Sequence, residues 1–247
     1  MQYRNNVLNQ PDKKKILCRE RGYHGSSYLA ATVSGTGREH DRRYMDTHHD
    51  LAIMLPNINP YIRPIGTSVE EWCDAKILEM EETILSIGPD QIGCFIAEPI
   101  LASGGVIVPP PGYHQRSLEL CKKHDIVYIS DETVTGFGRL GHWFASKEIF
   151  GIQPDIITCA KGLTSGYLPM GAAIISESLI DSIKNKDGSQ PFTNGYTYSC
   201  HPVAAKAALT NIEIMSRDEI LEHVRKISPH FQNRLRNLGK KYDIIGD

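Results

Sequence analysis

Apolar positions along the chain gather into short runs separated by longer stretches of helical spacing. The runs "KILC" (15–18), "IGCFIA" (92–97), "IVYIS" (126–130), "DIITCA" (155–160) and "GAAIIS" (171–176) are nearly continuous in apolar residues. Runs of this length are too short for helices and fit strands buried on both faces. Between and after them the period lengthens. Residues 68–88 predict a helix, with Ser68 and Glu71 at capping-box spacing. Residues 113–125 predict another, opened by the Pro-rich turn at 109–111. Residues 201–215 and 218–242 predict two more, the second broken or kinked at Pro229. Strands that alternate with helices argue for an α/β protein built on a mostly parallel sheet.

Composition narrows the function classes. The chain has 247 residues, enough for one large domain or one and a part. A formal net charge of -2 offers no basic surface for nucleic acid or an acidic membrane. No apolar run approaches the roughly 20 residues that span a bilayer, and "MQYRNNVLNQPDKKK" holds no apolar signal segment. The six cysteines form no C-x-x-C pair, which argues against a zinc site or a disulfide framework. They point to a reducing compartment, cytoplasmic or organellar.

In parallel α/β sheets ligands bind beyond the carboxyl ends of the strands. Ionisable or aromatic residues stand at four successive ends: "RERGYHG" after the first run, Glu98 after the second, Asp131 after the third and Lys161 after the fourth. Asp131 alone reads as a turn or N-cap residue. Lys161 alone reads as a surface lysine or a partner of Asp131. Together they fit pyridoxal phosphate chemistry. A lysine at a partly desolvated strand end is a candidate amine for a Schiff base. A carboxylate can pair with the pyridinium nitrogen, and an aromatic such as Tyr23 can stack on the ring. Other candidates are weaker. His48-His49-Asp50 lacks companion ligands at metal-site spacing and reads as a surface loop. "SGTG" (34–37) lacks the lysine of a phosphate loop, and "RERGYHG" lacks a dinucleotide glycine fingerprint. His201, before Pro202, reads as a helix start, while Gly136, Gly138 and Arg139 read as a turn.

The stretches "RGYHG" (21–25), "AEPILASGGVIVPP" (97–110), "DETVTGFGRLG" (131–141), "PDIITCAKGLTSGYLPMGA" (154–172) and "GYTYSCHPVAA" (195–205) resemble, in order and spacing, those of the class III aminotransferases. These are pyridoxal-phosphate enzymes of fold type I, and "SGYLPMGA" with "YTYSCHP" is most similar to the ω-amino-acid and amine–pyruvate branch. The resemblance implies a three-layer α/β/α large domain and a homodimer with its sites at the interface. It implies that Lys161 holds the cofactor and shuttles the substrate proton, and that Asp131 pairs with the ring nitrogen. Tyr23 would stack on the ring with His24 beside it, either toward the cofactor or bracing the loop. Glu98 would support the hydrogen-bond network near Asp131, and Thr197 would reach the phosphate in the neighbouring subunit. Thr133 stands where the family usually has a valine against the ring. The implied reaction is transamination between an amine or ω-amino acid donor and a keto acid such as pyruvate. An aminomutase or decarboxylase of the same class, or a catalytically silent fragment acting as an interaction module, are the alternatives. By the same resemblance, 1–247 is an incomplete cofactor-binding domain, lacking the phosphate cup, with 218–247 leading toward a missing small domain.

Overall fold

The computed structural model describes residues 1–36, 46–48, 50–184 and 192–245. Six strands form one sheet: β1 (Lys15–Arg19), β2 (Ala52–Leu55), β3 (Ile92–Ala97), β4 (Val127–Asp131), β5 (Ile156–Cys159) and β6 (Ala172–Ile175). Their spatial order is β2-β1-β3-β4-β5-β6. The first five run parallel and β6 runs antiparallel to β5. All five predicted strands are present, with ends shifted by a residue or two. The edge strand β2, "AIML", was not anticipated.

Side-chain alternation divides the sheet into two cores. Leu17, Phe95 and Tyr128 point to one face and pack with Met80, Ile84, Leu118 and Cys121. These last four come from α3 (Val69–Ile87) and α4 (Tyr113–Lys123). Ile16, Cys18, Cys94 and Val127 point to the other face, where Met1, Val33 and Leu179 meet them. These belong to or flank α1 (Gln2–Val7), α2 (Tyr28–Thr32) and α6 (Glu177–Lys184). The result is helix, sheet and helix in three layers, which explains why the strands carry apolar residues on both faces.

Local chemistry sets the helix ends. The capping box at α3 forms as predicted: Ser68 Oγ accepts from the Glu71 N–H at 3.1 Å, and Glu71 Oε2 accepts from the Ser68 N–H at 2.7 Å. The short α5 is Ala145–Glu148, and α7 (Pro202–Arg217) begins with proline just after His201. The last helix, α8 (Ile220–Lys241), shows no break at Pro229, because it is one continuous helix with the proline inside it. Most of α8 is exposed. Water can therefore take the carbonyl that Pro229 leaves without an N–H donor.

Candidate active site

Asp131 is the last residue of β4, opposite Thr158 of β5. Only 6% of its side chain is exposed. Its Oδ2 accepts from His24 Nδ1 at 2.8 Å, and its Oδ1 accepts from the Thr133 N–H at 3.1 Å. Burial alone would raise its pKa. The His24 hydrogen bond and charge, with the Thr133 bonds, outweigh burial and hold the carboxyl below the usual aspartate value. A carboxylate can only accept, so Nδ1 of His24 carries the hydrogen. His24 is itself fixed, since its N–H donates to Ser34 Oγ at 2.9 Å.

Glu98 follows β3 and is buried. Its Oε1 accepts from the Tyr23 N–H at 2.8 Å and its Oε2 from the Ala102 N–H at 3.0 Å. Burial pushes its pKa up; the two N–H bonds and His24 oppose that, and the nearby Asp131 charge adds to it. The loop after β1 is thus stitched to the ends of β3 and β4. Tyr23 is half-buried, and its hydroxyl shares a hydrogen bond of 2.9 Å with Ser26 Oγ.

Lys161 begins a one-turn 3₁₀ segment, Lys161–Thr164, beyond β5, three residues past the Thr158 that faces Asp131. Its φ is +39°, in the left-handed region that costs a non-glycine residue on the order of 1–3 kcal/mol. The Lys161 side chain is exposed, not partly desolvated as expected, and enters no ion pair among the described residues. Strand β5 ends at the rim of the sheet, and α7 packs against the turn that follows it while leaving the Lys161 side chain open to solvent. Gly162 is required here: a Cβ on it would lie 2.8 Å from the Phe137 Cβ.

Of the predicted residues, the fold brings Tyr23, His24, Glu98, Asp131, Thr133 and Lys161 to one end of the sheet. Thr197 is not among them; it lies in the exposed stretch 192–200. His201 opens α7, and Gly136, Gly138 and Arg139 form turns. Among the described residues no His, Cys, Asp or Glu group could hold a metal ion. His48 packs edge-on against Tyr28. His49, in the discounted histidine pair, and Gly37, in "SGTG", lie outside the described residues. A cavity of about 840 Å³ lies against the sheet beside His24, walled by Ile96, Ile129, Tyr3 and Phe192. A second, of about 500 Å³, lies away from these residues, between Trp143, Ile157 and Leu221.

Two residues escaped the sequence reading. Glu132 is fully buried, and it accepts from the Ala145 and Ser146 N–H groups, each at 2.7 Å, and from the Ser146 and Thr135 hydroxyls. It caps α5 and anchors the chain between Asp131 and Thr133. Its backbone partners lie 13 and 14 residues ahead, beyond any short-range motif. Asn211 of α7 donates to the carbonyls of Gly162 and Leu163. It had a readable signal, because it shares an apolar helix face with the buried Ala204, Ala208 and Met215.

The sequence matches the family of class III aminotransferases over residues 1–247. It is 41% identical over 248 residues to a vanillin aminotransferase of Capsicum frutescens, covering 99% of this chain and 53% of that protein. It is 40% identical over 248 residues to the chloroplastic gamma aminobutyrate transaminase 3 of Solanum lycopersicum, covering 99% of this chain and 47% of that one. Among solved structures, the omega transaminase from Pseudomonas jessenii in complex with PMP superposes with a TM-score of 0.85 at 35% identity, covering 92% of this chain and 50% of that one. A transaminase from an ancestral-reconstruction study reaches 0.89 at 39% identity, over 96% of this chain and 51% of that one. The chain therefore spans about half the length of the relatives it matches. The chain belongs to the class III aminotransferase family, and its three-layer sheet is that of the fold type I enzymes.

Proposed function

We propose that this chain is the cofactor-binding part of a pyridoxal-phosphate aminotransferase that moves an amino group from an amine or ω-amino acid to a keto acid such as pyruvate. The observation that carries the reading is Asp131, buried and held ionised by His24, on the strand beside the one that delivers Lys161. The donor set fits the cofactor. Lys161 would hold the carbonyl carbon through its amine, Tyr23 the ring face and Asp131 the ring nitrogen. Each Asp131 oxygen keeps a lone pair beyond its present bond. The exposed position of Thr197 suits a contact with the phosphate in a second subunit, as the proposed homodimer requires. Residues 1–247 form the large domain in this reading, with 218–247 leading out of it. No described helix is long and apolar enough to cross a membrane. All six cysteines are free, which supports a reducing, cytoplasmic compartment.

When bound, pyridoxal phosphate supplies an electron sink that lets the C–H bond beside the substrate nitrogen ionise. The chain's own groups do the rest. Lys161 would be the base that takes the proton from the substrate carbon and gives it back. Asp131 would face the ring nitrogen and favour its protonated form. His24 keeps Asp131 charged and oriented. Glu98 fixes the Tyr23 backbone, which would help hold the aromatic ring against the bound cofactor.

The test is to mix the chain with pyridoxal phosphate, reduce with borohydride and map the labelled peptide. Label on Lys161, lost in Lys161→Ala, supports the assignment. Label scattered over surface lysines sinks it for this chain. Alanine formed from pyruvate and an amine donor would then separate transamination from an aminomutase, which forms none.

A further inference from the structure

The Lys161 turn is bounded by two left-handed residues that are not glycine, Lys161 at φ +39° and Ser165 at φ +49°. Such a pair persists only where surroundings hold it. Within the turn, the Leu163 N–H reaches the Ala160 carbonyl at 2.9 Å, the Ser165 N–H the Gly162 carbonyl at 3.2 Å and the Gly166 N–H the Lys161 carbonyl at 3.3 Å. Just beyond, the Tyr167 N–H reaches the Thr164 carbonyl at 3.1 Å and Thr164 Oγ1 donates to the Leu168 carbonyl at 2.6 Å. Further support comes from α7. Asn211 Nδ2 donates to the Gly162 carbonyl at 2.9 Å and to the Leu163 carbonyl at 3.1 Å. Its Oδ1 accepts from Ser165 Oγ at 2.7 Å. One amide thus spends both hydrogens and its oxygen on three residues of a single turn. Met215, a turn further along α7, packs its sulfur 3.6 Å from the same amide nitrogen.

We propose that Asn211 is a positioning residue that clamps the Lys161 turn in its left-handed form and so sets the direction of the Lys161 amine. The inference rests on the assignment of Lys161 above. It needs an amide at this position. A leucine of similar size offers no donor. An aspartate keeps the acceptor for Ser165 but turns a negative oxygen on two carbonyls. The clamp also ties the lysine to the helix that follows the exposed stretch 192–200, so movement of α7 is transmitted to the turn.

The experiment compares the unaltered chain with Asn211→Asp and Ser165→Ala, without substrate. Amide hydrogen exchange at 162–166 reads the turn. Borohydride-trapped pyridoxal phosphate on Lys161, relative to other lysines in the same sample, reads the amine. With two hydrogen bonds lost, Asn211→Asp should raise exchange at 162–166 and lower selective Lys161 labelling by about tenfold each. Ser165→Ala, which leaves both carbonyl bonds, should raise exchange by a smaller factor, about two- to threefold. Selective label in the unaltered chain, with exchange and label unchanged in Asn211→Asp, overturns the clamp alone. Scattered label in the unaltered chain overturns the assignment of Lys161, and the placement of its amine with it. If Asn211→Asp does not fold, Ser165→Ala decides: faster exchange confined to 162–166 supports the clamp, and no change there overturns it.

Discussion

Replacing Glu132 by glutamine tests how firmly the chain around Asp131 is anchored. The two side chains have nearly the same shape, so no cavity opens. The hydrogen bonds change sharply. Each Glu132 oxygen accepts one backbone N–H, from Ala145 or Ser146, and one hydroxyl. Glutamine keeps one oxygen and turns an NH₂ toward the other pair. A hydroxyl can rotate to accept from that NH₂, but a backbone N–H cannot. One buried N–H is left unpaired, at a cost of about 1–3 kcal/mol, and the surviving bonds lose their charge assistance, worth about 1 kcal/mol more. The sum is roughly 2–4 kcal/mol, a drop of about 4–16 °C in melting temperature for a chain of this size. Thermal unfolding followed by tryptophan fluorescence reads it directly, since Trp143 lies two residues before Ala145. The half-buried Glu81→Gln, which removes only a pair with the exposed Lys123, is the control and should move the midpoint little. A Glu132→Gln midpoint within about 1 °C of the unaltered chain would refute the reasoning, because the buried N–H would then have found another partner.

Three further outcomes follow from the same geometry. His24→Ala removes the largest interactions that lower the Asp131 pKa and leaves only the Thr133 bonds against burial, so its titration should move upward; carboxyl-carbon NMR would show it, and no upward movement counts against the His24 pairing. Asp131's own contribution to stability is present above its unfolded value near 3.8 and is lost as pH falls below it. His114 is fully buried and neutral, accepting from the Tyr128 hydroxyl and donating to the Pro99 carbonyl, and its pKa is pushed from 6.5 down to about 4. Its folded value lies below its unfolded one, so stability should decline between pH 6.5 and about 4, by up to about 3 kcal/mol; urea midpoints across that range in the chain and in His114→Gln test it, the variant showing a shallower slope. Gly162→Ala drives a methyl against the Phe137 Cβ at 2.8 Å and should displace the Lys161 turn, lowering the labelling of Lys161 by pyridoxal phosphate. Unaltered labelling there would show that Phe137 gives way.

Much of the site was legible in the sequence because its residues mark strand ends. Glu98, Asp131 and Lys161 each follow an apolar run, and the parallel sheet gathers such ends at one edge. The capping box at Ser68 was legible for a similar reason, since it is a local bond between neighbours. What escaped depends on contacts distant in sequence. Glu132 is defined by Ala145 and Ser146, and Asn211 by a turn about 50 positions earlier, at a separation of 48 or 49 residues. The exposure of Lys161 follows from which helices cover the sheet end, and no strand pattern encodes that. The break expected at Pro229 is absent for a physical reason: the proline penalty is smallest where water replaces the lost bond, and α8 is mostly wet. The strand β2 was missed although "AIML" is wholly apolar and as long as "KILC"; its four residues carry no period that separates a strand from a buried turn of helix.

The stitching of the loop after β1 has a consequence in time. The Tyr23–Glu98 and His24–Asp131 bonds join residues 75 and 107 positions apart. Strand β1 enters the sheet between β2 and β3, and the β3 strand lies far downstream of it. Each such closure carries a chain-entropy cost before any contact rewards it, which makes assembly of this kind intrinsically slow. On the ribosome, Tyr23 and His24 emerge long before the strands that fix them, and Lys161 emerges last of the group. The pocket is therefore a late product of folding, formed only once β3, β4 and the turn after β5 have joined β1.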